Sequence, residues 1–211
     1  MKTDDLIIML AAGITPIAPQ SARRRFMSAM GLGVFFALLL MLATLGMNPG
    51  PSASLPMFWV KLAFTVAIAA TSLIAAFRLA RPGVRLGMVL VAMAMPVVAM
   101  WGFAVVEVIR APATGRLTLL LGQTWVLCPF LIAMLSVPVF IAVFWAMKGL
   151  APTQPTLAGA MSGLLAGAVG AAVYCLHCHE MAAPFLAVWY SLGMLIPAVI
   201  GAIAGRRLLR W

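Results

Sequence analysis

The segment Tyr174-Cys175-Leu176-His177-Cys178-His179-Glu180 gathers two thiols, two imidazoles and a carboxylate, and the third cysteine of the chain, Cys128, follows Trp125 in Gln123-Thr124-Trp125-Val126-Leu127-Cys128-Pro129. Four chemistries compete for these residues. Cys175-Leu176-His177-Cys178-His179 matches the spacing for covalent c-type haem attachment, but the nine residues from 175 to 183 lie between apolar segments and offer no pocket to cover a haem. Thiolate and imidazole ligands suit a soft metal ion, with Cys128, His177, Cys178 and Glu180 as the candidate set. A bridge between Cys128 and Cys178 that opens and closes is the third reading, since accessible or strained disulfides are the labile ones. The fourth is a static bridge or inert buried thiols. An odd count of cysteines leaves at least one outside any pairing, and Cys175 stands with the other two as a candidate redox group.

These groups sit in a chain with little other polar material. Of 211 residues, 65% are hydrophobic and 18 are charged, 14 basic and 4 acidic, for a net charge of +10. Soluble domains carry about 25% charged residues, so the excess apolar surface has to face lipid. Asp4 and Asp5 stand at the N-terminus and only Glu107 and Glu180 serve the rest, too few polar groups for an enzyme pocket. No catalytic residue is assigned. The basic excess reads as membrane orientation and not as nucleic-acid binding, because Lys and Arg collect in cytoplasmic loops.

Cutting the chain where charge, Pro and Gly cluster leaves six apolar stretches long enough to cross a bilayer, at 26–47, 57–77, 86–106, 124–147, 157–174 and 184–204. The predicted fold is all-α, a bundle of six transmembrane helices (26–211) behind an N-terminal tail (1–25). Counting Lys and Arg on alternate sides puts 11 on the side of both termini and 3 (Lys61, Arg110, Arg116) on the other. Both termini are therefore expected in the cytoplasm and the Cys/His loop outside. A signal-peptide core at 6–14 is the competing reading of the N-terminus. Asp4 and Asp5 stand where such a peptide carries positive charge, which argues against it.

Within the spans, Gly159, Gly163 and Gly167, with Gly201 and Gly205, permit close helix approach, expected inside the bundle before a dimer seam. Pro96, Pro129, Pro138 and Pro197 are expected to kink their helices. Lys61 and Glu107 fall near outer span ends, where a snorkelling ammonium and an interfacial carboxylate are the default. The tail offers the one cytoplasmic segment long enough to hold a soluble partner. Thr3 can cap a short helix with Asp4 and Asp5 in its first turn, and Leu6, Ile7, Leu10 and Ala11 form an apolar stripe suited to a partner's groove. A membrane transporter or metal-handling protein using the Cys/His cluster is the alternative class, weakened by the lack of an evident inverted repeat.

The opening Met1-Lys2-Thr3-Asp4-Asp5-Leu6-Ile7, the Trp125-x-x-Cys128-Pro129 start of the fourth span, Leu176-His177-Cys178-x-Glu180, Trp189-Tyr190-x-Leu192-Gly193-Met194 and the end Arg207-Leu208-Leu209-Arg210-Trp211 resemble the negative regulator of sigma-F (NrsF) family. The resemblance covers nearly the whole chain. It implies a six-span anti-sigma factor of the bacterial inner membrane, and together with the tail and the thiols it gives the expectation of a chain that sequesters an extracytoplasmic-function sigma factor and releases it on periplasmic redox or metal stress sensed by the cysteines. It also implies that Cys128 and Cys178 are the family's cysteine pair and that the tail, with Thr3, Asp4, Asp5, Leu6, Ile7 and Leu10, faces the sigma factor. The family commonly has Pro after its second cysteine and no cysteine three residues before it. His179 and Cys175 stand there in this chain.

Overall fold

A computed structural model describes residues 19–47, 55–80, 86–150 and 152–209, the side chains of 19–23 excepted. The tail positions Thr3, Asp4, Asp5, Leu6, Ile7 and Leu10 lie outside the described residues, as does the basic stretch 81–85. Among the described residues seven helices follow one another: α1 Pro19–Thr44, α2 Pro56–Leu79, α3 Gly87–Arg110, the short α4 Arg116–Leu121, α5 Leu127–Lys148, α6 Pro155–Tyr174 and α7 Ala183–Leu208. All but α4 are long and apolar enough to cross a membrane. The described residues contain no strand.

The spans match the apolar stretches because a helix satisfies its own main-chain groups, the one way a single segment can cross hydrocarbon. Their ends differ from expectation where local chemistry extends them. α1 begins at Pro19, well before residue 26, since proline suits a first helical position and the arginines can ride on a helix as easily as on a linker. The stretch from 107 to 123 is not a plain loop either, because it folds into α4.

Glycine decides which helix stands in the middle. In lipid, apolar side chains gain little by meeting one another, so close packing and hydrogen bonds hold the helices together. α6 is rich in Gly and Ala and is the most enclosed span, packed against α7, α5 and α2. Gly159 lies against Gly201 and Gly205, and Gly163 against Pro197 and Ala198, so the glycine face is an internal α6–α7 seam, as expected. A β-carbon at Gly163 would stand 2.8 Å from the Pro197 carbonyl carbon and 2.9 Å from Ala198 Cα. Two more glycines bring other pairs together, Gly170 of α6 against Ile132 and Ser136 of α5, and Gly33 of α1 against Val139 of α5. α3 lies at the margin and turns Met88, Met95, Val98, Phe103 and Ile109 outward.

Of the four prolines expected to kink spans, Pro96, Pro138 and Pro197 lie inside helices. Pro129 does not. It occupies the first turn of α5, where its missing N–H leaves no intrahelical bond unmade. An irregularity arises elsewhere, in a π-helical turn at Leu186–Tyr190 of α7. Such single wide turns occur frequently at functional sites.

At the end of the bundle away from the cysteines, Arg25 stacks over the Trp145 ring at 4.1 Å and donates from Nη2 to the Trp145 carbonyl oxygen at 3.2 Å. The start of α1 is thereby clasped to the last turn of α5. A β-carbon at Gly149 would fall 2.7 Å from Arg25 Nη1, so the residue that follows α5 leaves room for this contact.

Candidate functional site: a buried thiol and lysine cluster

The three cysteines come together from two separate stretches of the sequence. Cys128 stands in the first turn of α5, its N–H donating to Thr124 O at 2.9 Å. Cys175 caps α6, and the chain then wraps around Tyr174, whose carbonyl accepts both the His177 and Cys178 N–H groups at 3.0 Å. All three thiols are free and buried, Cys128 0%, Cys175 1% and Cys178 4% exposed. They are not the surface thiols that a loop at the membrane face suggests. Cys128, Cys175 and Cys178 lie within electrostatic reach of one another.

At the centre stands a residue whose role the sequence misassigned. Lys61 of α2 was expected to snorkel, yet it is 0% exposed. Its Nζ donates to the carbonyl oxygens of Cys178 at 2.8 Å and Glu180 at 3.3 Å. It also lies 5.8 Å from the Tyr190 ring centroid. Snorkelling fails because the 175–182 loop closes over this side chain and supplies main-chain acceptors in place of water. The available signal was a lone cation in an apolar span, which marks function by default.

The carboxylates have structural work as well. Glu107, at the end of α3, accepts the Ala183 N–H on Oε2 at 2.8 Å. It thus caps the start of α7, a role its position in the sequence did not disclose. Glu180 Oε1 accepts the Gln123 N–H at 2.7 Å and lies 3.5 Å from Thr124 Oγ1. Gly122, at φ 56°, makes room for it, since a β-carbon there would lie 2.8 Å from Glu180 Oε1. Trp189, in the π-helical turn, donates from Nε1 to Leu120 O at 2.8 Å and holds α4 against α7.

These partners separate the candidate metal ligands. Glu180 is turned to the lead-in of α5, His177 Nδ1 lies 3.2 Å from Gly46 O, and His179 is exposed. Among the described residues no three His, Cys, Asp or Glu side chains converge as a metal site, so the set Cys128, His177, Cys178 and Glu180 is not brought together. What remains assembled is the thiol group with Lys61, Tyr174 and Tyr190. The buried Tyr190 hydroxyl faces the Cys175 and Cys178 thiols.

Cys175 stands just beyond the last residue of α6. Burial pushes its thiol up to about 11, against the partial opposition of the Lys61 ammonium and the neighbouring Thr65 and Tyr190 hydroxyls. The thiolate is the nucleophile, so this thiol is inert near neutral pH. In the folded, reduced protein, iodoacetamide is expected to leave Cys175 unmodified near neutral pH and to reach it as the pH nears about 11 or the chain unfolds, read by peptide mass spectrometry. The sign for stability is the same. The unfolded thiol ionises near 9.0 while the folded one keeps its proton, so this group's contribution is intact below 9.0 and is lost as pH rises toward 11.

Fold and site together define a class: a six-span helical membrane protein with a buried cluster of free thiols at one end of its bundle. The chain belongs to the family described as negative regulator of sigma F, whose pattern matches residues 10–211. It is 53% identical, over the full length of both chains, to a protein of Azospira oryzae named probable anti-sigma-F factor NrsF. It is 42% identical, again over both full lengths, to the anti-sigma-F factor NrsF of Caulobacter vibrioides. No solved structure matches.

Proposed function

We propose that this chain is an anti-sigma factor of the bacterial inner membrane that holds an extracytoplasmic-function sigma factor through residues 1–22, with both termini in the cytoplasm. Oxidation of Cys128 and Cys178 on the outer side weakens that hold under stress. The observation that carries the redox half is the gathering of free Cys128, from α5, and free Cys178, from the loop after α6, in one buried cluster. Membership of the family and two full-length relatives named as anti-sigma-F factors support the regulatory half. The surplus of Lys and Arg on the side of both termini supports the orientation.

Sensing and output then lie at opposite ends of α5. Cys128 stands in its first turn and Trp145, which carries Arg25, in its last. A pair of thiols gives up two protons and two electrons to an oxidant as one S–S bond forms, and the bond constrains the loop 175–182 against α5. Affinity purification from cells tests the partner: the full chain is expected to bring down a sigma subunit and a version lacking residues 2–22 to lose it. Absence of any sigma factor with the full chain would sink the reading.

A further inference from the structure

We propose that Lys61 is the positioning residue that sets how readily the Cys128 and Cys178 thiols are oxidised, by holding the main chain of Cys178 in its dithiol arrangement. The inference rests on the redox-pair reading above and assigns a control element to that pair.

A buried ammonium is costly unless it is paired and fully hydrogen-bonded. Among the described residues Lys61 meets no carboxylate, and both of its hydrogen bonds go to main-chain oxygens of one short loop, Cys178 O at 2.8 Å and Glu180 O at 3.3 Å. A neutral apolar side chain would fill this space at less cost, so the charge is retained for what it grips. Glu180 uses its other end as well, its carboxylate accepting the Gln123 N–H at 2.7 Å just ahead of α5. The loop bearing Cys178 is thus tied on one side to α2 and on the other to the helix bearing Cys128. Thr65, one turn further along α2, is buried and donates back to Leu62 O at 2.9 Å, so the stem of Lys61 is set in an ordered turn.

Closing the bridge brings the two sulfurs to about 2.05 Å with a restricted dihedral angle. Any displacement of the Cys178 main chain in that closure stretches its bond to the ammonium. Hydrogen bonds from a charged donor are the stronger kind, so Lys61 stabilises the dithiol over the disulfide. Removing it shifts the balance toward oxidation.

The test equilibrates the full chain, in detergent, with mixtures of oxidised and reduced dithiothreitol. Exchange is balanced: two protein thiols become one disulfide as the cyclic disulfide of the reagent becomes its dithiol. The fraction of Cys128–Cys178 bridge is read by acid trapping and peptide mass spectrometry. Lys61→Met is expected to reach half-oxidation at a ratio of oxidised to reduced reagent lower by about 10-fold to 100-fold, the range of one charged hydrogen bond. Lys61→Arg, which keeps a cation with donors, is expected to stay near the parent value. Lys61→Gln, a neutral donor, is expected between them and carries the test if Lys61→Met does not fold. An unchanged midpoint in the neutral variants, a shift toward harder oxidation, or an equal shift in Lys61→Arg would overturn the role of Lys61 and leave the pair standing. Failure of the parent chain to form the bridge at all would overturn the pair and the inference with it.

Discussion

With serine at both Cys128 and Cys178, oxidising stress is expected to leave the proposed sigma-factor partner bound, so that the amount co-purifying with the full chain is the same from stressed and unstressed cells. The expectation follows from linkage. Release on oxidation requires that the dithiol and disulfide forms differ in affinity for the partner, and a typical coupling of ~1 to 3 kcal/mol changes affinity about 5-fold to 150-fold. Serine keeps the small polar shape in a site where Cys128 is fully buried, so the loss concerns chemistry more than packing. Cys175→Ser serves as the comparison, since that buried thiol lies outside the proposed pair. Stress-induced release undiminished in the double variant would show that the thiols are not the switch.

The second large effect is structural. Gly163→Leu is expected to abolish accumulation of folded protein, because even its β-carbon would overlap the α7 main chain at Pro197 and Ala198, which cannot swing aside as a side chain can. Overpacking a core costs about 1 to 3 kcal/mol where side chains can yield, and a main-chain collision lies at or beyond the upper end of that range. Gly31→Leu is the control of equal chemistry, for a β-carbon at Gly31 meets nothing within 4 Å. Size-exclusion profiles of the two variants with thermal melts should separate them: a monodisperse peak with the parent's melting temperature for Gly31→Leu, and aggregate or no peak for Gly163→Leu. Comparable behaviour of the two would mean that the α6–α7 seam is not as tight as its geometry.

The six spans were legible because hydropathy over about 20 residues reports the solvent a helix must meet, whatever its neighbours. The glycine seam was legible for a similar reason, since a four-residue repeat of Gly fixes one helix face. Lys61 was not. Whether a cation near a span end reaches water or turns inward depends on what lies above it, and the cover comes from residues more than a hundred positions away. The metal constellation failed in the opposite way. His177, Cys178, His179 and Glu180 are neighbours in sequence, but a short loop points successive side chains in different directions, and the carboxylate and the imidazoles found Gln123, Gly46 and solvent. The π-helical turn and the fold of α4 leave no mark in composition, because both arise from contacts such as Trp189 with Leu120.

The glycine seam reaches further than stability. α6 and α7 are interlocked main chain to main chain through Gly159, Gly163, Gly201 and Gly205, and the loop that carries Cys178 is slung between the end of one and the start of the other. Its two piers meet backbone to backbone. A bond from Cys178 to Cys128, as proposed, would therefore draw on the start of α5, and the far end of that helix is where Trp145 holds Arg25, at the root of the tail.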